Sequence, residues 1–206
     1  VLMGVAGMVL TRKFTNRRYA ESNAEAKEVE NIRYPEFAEV LLKKYGRQDY
    51  IIQAGCGDFG GLCDYKNKRI LLTAHPGSKN FAAIWESAHE VGHAVHGQLK
   101  LRKPLIITSL ILILVVITSC GCLFAAKWVL VLDLFVVLLV SYFHWKDEVC
   151  ASSFAAKELS DLVGAKVVSS RLALDKLILA MESISIAMAF WSAYSLLYFA
   201  MKSVVI

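Results

Sequence analysis

At 206 residues the chain is long enough for one ordinary domain, or for a small domain with added apolar segments. It is 56% hydrophobic with a mean hydropathy of +0.48, too apolar for a typical soluble domain, and that argues for membrane insertion. The net charge is +5, but the basic residues gather beside apolar runs rather than in a stripe, so no nucleic-acid partner is expected.

Residues 1–10, "VLMGVAGMVL", are apolar but fall short of the roughly 20 residues a membrane span needs. They read as the end of an N-terminal membrane segment. Arg12, Lys13, Arg17 and Arg18 follow directly. Residues 19–45 have helical spacing, broken near Tyr34-Pro35, because the residue before a proline is pushed out of the α region. Phe37, Val40, Leu41 and Tyr45 are the predicted apolar face of the second helix, and Gly46 its cap. "DYIIQAGCGD" reads as β, and "GLCDYKNKRILLTA" as strand, turn, strand. The five cysteines include no C-x-x-C pair, which leaves reduced thiols as the expectation.

Ser78 or Asn80 can cap a helix from Phe81 to about His96, ended by Gly97. This helix carries His89, Glu90 and His93, spaced H-E-x-x-H. Positions i and i+4 share a helix face, so both imidazoles can reach one metal ion. Glu90 is turned about 100° from His89, beside the ion rather than on it, where it can accept a proton from water that the metal acidifies. The uncharged neighbours Ala88, Val91, Gly92, Ala94 and Val95 indicate a helix buried on most sides. Two histidines and a glutamate would be costly there without a partner. Gly92 in mid-helix costs about 1 kcal/mol against Ala, which points to a second backbone passing close by.

A third ligand is needed. His96 repeats the same helix and crowds the site, and His75 lies in a loop. His144 follows the apolar runs described below. Glu148 is the better candidate: it lies on a predicted helix in "HWKDEVCASSFAAKEL", sharing a face with Ala151 and Ser152. A carboxylate from a second helix completes a His2Glu site with its fourth position open, holding one zinc per chain. Ser152, one turn on, can hydrogen-bond a ligand. His144, Tyr65 and His96 are the candidates for stabilising an oxyanion, with no choice among them. "RILLTA" is a candidate for pairing with an extended substrate.

Residues 105–126 form an uncharged run, and 129–143 a shorter one containing Asp133. Together, 105–143 read as a transmembrane helical hairpin, and 184–201 as a C-terminal membrane segment. The hairpin would return Glu148 to the side of the membrane that holds His93. The basic clusters at 12–18 and 100–103 put that side in the cytoplasm, giving a multi-pass protein of the cell membrane.

H-E-V-G-H, an apolar hairpin, and then E-x-x-A-S resembles a small family of neutral zinc metallopeptidases of bacterial membranes. That family is similar to the heat-shock membrane protease and the CAAX prenyl protease, which share H-E-x-x-H followed by E-x-x-A-D. Ser152 stands where the prenyl-protease pattern has Asp. The resemblance implies a mainly α membrane protein with a small β-sheet: a gluzincin-like zinc peptidase domain over 11–104 and 144–183, interrupted by the hairpin, with an edge strand beside the cleft. The expected activity is membrane-bound, zinc-dependent endopeptidase action on a peptide or membrane-protein substrate, with the lipid bilayer as surroundings and Glu90 as general base. The competing expectation is a non-hydrolytic metal-binding assembly or scaffold protein of the membrane.

Overall fold

The structure is a computed structural model that describes residues 34–55, 61–74, 80–97, 106–111 and 123–205. Residues 1–10, the first helix expected before Tyr34, His75 and the middle of the expected hairpin, 112–122, lie outside the described residues. The elements in order are α1 (Tyr34–Lys44), β1 (Ile51–Ala54), β2 (Leu62–Asp64), β3 (Arg69–Leu72), α2 (Phe81–His96), α3 (Leu123–Val163) and α4 (Ala165–Val205). They form two compact units. The first comprises Thr15–Gln98 and Asp147–Leu177, the second Val1–Phe14, Leu99–Lys146 and Ile178–Ile206.

In the first unit, α1 buries Tyr34, Phe37, Ala38, Leu41 and Leu42, the i, i+3, i+4, i+7, i+8 stripe of a helix with one face on a core. Val40, expected on that stripe, is 61% exposed. The stripe turns toward Ala38 and Leu42 instead. Lys43 and Lys44 occupy the last turn, where cations favour the helix dipole, and Gly46 leaves it at φ +66°.

β2 and β3 form the expected hairpin, antiparallel with Cys63 opposite Ile70. β1 joins β3 in parallel, so the order is β1-β3-β2. β3 is therefore the central strand, with its backbone groups bonded on both sides. The expectation that Arg69–Leu72 accepts a substrate strand is thereby corrected: among the described residues, β1 and β2 are the edges. Ile70 and Leu72 are fully buried against α2, which packs on β2, β3 and α1. Glu86 of α2 ties down the end of β3, accepting from the Thr73 backbone N–H at 3.0 Å and its hydroxyl at 2.8 Å.

α2 starts where the sequence placed it. The Asn80 side chain accepts from the Ala83 N–H at 2.8 Å, and Gly97 ends the helix at φ +76°. The close backbone that Gly92 led us to expect is α3. A Cβ built on Gly92 would lie 3.0 Å from the Cα of Ala151. Gly164, at φ +98°, separates α3 from α4.

In the second unit, Asp133 is fully buried. α3 and α4 leave apolar side chains exposed there, among them Trp128, Phe135, Trp191 and Phe199. Among the described residues, however, no helix is long and apolar enough to cross a membrane. The fold is mainly helical with a small three-stranded sheet, and the transmembrane hairpin over 105–143 is corrected, along with the multi-pass arrangement and the spanning segment at 184–201. The physical reason is visible along the helices. α3 carries Asp133 and runs on into Lys146, Asp147 and Glu148, and Ser185, Ser192 and Ser195 interrupt the apolar run of α4.

Candidate metal centre

The site forms where α2 and α3 touch within the first unit. Gly92 lets the two backbones approach, and His89, His93 and Glu148 then converge from the two helices. His89 Nε2 lies 3.1 Å from Glu148 Oε2, His93 Nε2 lies 3.2 Å from His89 Nε2, and His93 Nε2 lies 3.4 Å from Glu148 Oε2. A tetrahedral ion with bonds of about 2.0–2.1 Å needs ligand atoms separated by about 3.3 Å. The donor triangle thus has the size of a zinc site. Its chemistry also fits, two imidazoles and one carboxylate with room for a fourth ligand.

Each histidine is backed on its other nitrogen. Nδ1 of His93 faces Asp147 Oδ2 at 3.8 Å. Nδ1 of His89 lies 3.2 Å from Ser152 Oγ, the contact the i+4 spacing from Glu148 made available. Behind Ser152 stands Asp175 of α4, whose Oδ2 accepts from Ser152 Oγ at 3.2 Å and from Trp85 Nε1 at 3.0 Å. Arg171, one turn earlier on α4, donates from Nε to Asp175 Oδ1 at 3.2 Å and lies over the Trp85 ring.

Negative charge gathers around the two imidazoles. Burial works to raise the Glu148 carboxyl, but hydrogen bonds from His89 and His93 outweigh it and hold it well below the usual carboxylate range. Burial works to lower His93, yet Glu148, followed by Glu90 and Asp147, holds it above the usual imidazole value. Glu90 stands outside the donor triangle and is 7% exposed. Burial pushes its carboxyl up, against the pull of both histidines. Gly61, at the start of β2, closes over it. A Cβ there would meet Glu90 Cγ at 2.8 Å and Glu90 Oε1 at 2.9 Å.

The remaining sequence candidates divide. The Tyr65 hydroxyl is buried with no hydrogen-bond partner among the described residues, and burial, with Asp147 next, raises its phenol well above its ordinary value. His96 is exposed and packs its ring edge-on against Phe154 at 5.8 Å. His144 belongs to the second unit. Sequence reasoning missed Asp147, Trp85, Arg171 and Asp175. The Arg171/Asp175 pair has i, i+4 spacing, but nothing local distinguishes it from a surface ion pair.

Compared with known protein families, characterised proteins and solved structures, the chain matches none.

Proposed function

We propose that the protein is a zinc-dependent peptidase, with His89, His93 and Glu148 holding the ion and Glu90 acting as general base. The observation that carries this reading is the donor triangle of 3.1–3.4 Å with a buried carboxylate beside it that takes no part in it. A purely structural cluster has no use for such a fourth group. The E-x-x-A-S resemblance supports the same chemistry.

Bound zinc supplies Lewis acidity, polarising a substrate carbonyl and lowering the pKa of a water at its open position. Glu90 accepts the proton of the attacking water and returns it to the leaving amine. Burial raises the Glu90 carboxyl above its ordinary value, against the pull of the two histidines. The Tyr65 O–H, without a partner among the described residues, donates to the carbonyl oxygen as it gains charge. The open edge of β2 runs from Gly61, which touches Glu90, and gives an extended peptide a strand to pair with.

The reading is tested by loading the full chain with zinc and assaying it on an unfolded protein substrate with and without a chelator. One zinc per chain and chelator-sensitive cleavage are expected. Stoichiometric zinc without any cleavage would turn the reading to a non-hydrolytic metal protein.

A further inference from the structure

Ser152 is 1% exposed, Asp175 4%, Trp85 3% and Arg171 8%. Four polar groups at this depth need to satisfy one another, and the way they do so fixes where each proton sits. A carboxylate only accepts. Asp175 Oδ2 therefore takes the Ser152 hydroxyl proton and the Trp85 indole proton, while Oδ1 takes the Arg171 proton. With its one proton committed, the Ser152 oxygen can only accept from His89 Nδ1, 3.2 Å away. His89 must then carry a proton on Nδ1, so that Nε2, which faces Glu148 Oε2 and His93 Nε2, is the nitrogen left to give up its proton to a metal ion.

We infer that Asp175 is a positioning residue for the metal site, acting through Ser152 to set the tautomer and orientation of His89. This rests on the reading of His89 as a metal ligand. A metal-bound histidine is ordinarily backed by a carboxylate or carbonyl on its other nitrogen, which orients the ring and strengthens it as a ligand. Ser152 alone carries no charge, and its hydroxyl can donate as well as accept, so by itself it fixes neither the tautomer nor the charge. Asp175 brings the charge from α4 through the serine hydroxyl, and Arg171 compensates that charge so that it can remain buried. The alternative role for Asp175 is a clip holding α4 to Trp85 of α2.

The test uses the full chain as Ser152→Ala, Asp175→Asn and the double variant, with two readouts. Zinc affinity by chelator competition should fall about 10–100-fold in each single variant. The double variant should lose no more than the worse single, because both changes cut one chain of bonds. In the zinc-loaded protein, solvent exchange of the His89 Nδ1–H, followed by nitrogen-15 NMR, should be slow in wild type and faster in either variant. Ser152→Ala leaves the Trp85 and Arg171 bonds to Asp175 in place, so it carries the test alone if Asp175→Asn does not fold. A folded Ser152→Ala protein with wild-type zinc affinity and wild-type Nδ1–H exchange overturns the inference, as do losses that multiply in the double variant. A wild-type protein that binds no zinc overturns the metal reading instead.

Discussion

Gly92 and Ala151 meet backbone to backbone, and that contact sets the spacing of the candidate metal centre. A Cβ on Gly92 would lie 3.0 Å from both the Cα and the carbonyl oxygen of Ala151, and 3.2 Å from the Phe154 Cβ. His89 and His93 lie on one side of this crossing and Glu148 on the other. The glycine's cost in helix propensity, about 1 kcal/mol, is offset by what the close crossing allows.

Gly92→Ala gains propensity but pushes against backbone, which yields less readily than a side chain. Gly92→Val adds branching to the same clash. Overpacking of this kind costs about 1–3 kcal/mol. We expect a small loss of thermal stability for Ala and a larger one for Val, with zinc affinity falling in the same order as α3 is pushed from α2. Thermal melts and chelator competition measure both. A Val variant with unchanged melting and unchanged affinity would contradict the crossing.

His89→Ala, His93→Ala and Glu148→Ala should each abolish stoichiometric zinc, since two remaining ligands hold an ion weakly. Glu148→Ala separates the ligand set from other pairings, because it leaves the H-E-x-x-H helix intact. Metal analysis of the three purified variants gives the answer. Full zinc content in Glu148→Ala would remove that residue from the site.

What could be read from the sequence was what depends on neighbours along the chain. The Asn80 cap, the Gly97 stop and the i, i+4 histidine pair are local, and the structure has them where the spacing placed them. Glu148 and Ser152 were legible because one helix turn separates them. Asp175 was not: it lies 23 residues from Ser152 and 90 from Trp85, and only tertiary packing brings the three together. The parallel pairing of β1 with β3 is likewise non-local, and it occupies the backbone edge that "RILLTA" would otherwise offer a substrate. The apolar runs misled differently. Hydropathy reports composition, and Asp133 buried within α3 shows that an apolar stretch can enclose a carboxylate.

Glu158 gives the fold a pH dependence away from the site. Lys44 Nζ and Tyr45 Oη each lie 2.6 Å from its carboxylate, joining α1 to α3. Burial works to raise the Glu158 carboxyl, but these two bonds outweigh it and hold it below its ordinary value. A depressed carboxyl contributes stability above its unfolded pKa, about 4.3, and that stability is lost as pH falls through the folded value. Glu158→Gln should melt below wild type at pH 7, and the gap should narrow as pH drops below about 4. A gap that stays constant across acid pH would mean that charge plays no part.

Cys63 reports on the integrity of the β2 edge. It is 7% exposed, and burial pushes its thiol up to about 12. At pH 8 about one molecule in ten thousand would carry the reactive thiolate. Iodoacetamide should therefore modify the exposed Cys150 in the native protein and leave Cys63 untouched until the protein is unfolded. Peptide mapping by mass spectrometry reads this directly. Fast native labelling of Cys63 would mean that β2 opens readily, and would argue against it as a firm edge for substrate.

The chemistry itself is decided by Glu90→Gln and Tyr65→Phe. The amide keeps the size of the Glu90 side chain and sits under Gly61 as the carboxylate does, but it cannot accept a proton from water. Glu90 lies outside the donor triangle, so zinc content should be unchanged, while peptide hydrolysis falls by at least about 10²-fold. Tyr65→Phe removes a hydroxyl that has no partner among the described residues, so stability should hold or rise. If that hydroxyl serves the developing oxyanion, kcat should fall about 10²–10³-fold with zinc retained. A Glu90→Gln protein that keeps full activity would rule out the proposed base. Loss of zinc from it would make Glu90 a ligand and reopen the assignment of Glu148. A Tyr65→Phe protein with normal kcat would leave the hydroxyl without a role in catalysis, and the oxyanion donor would then have to come from another group.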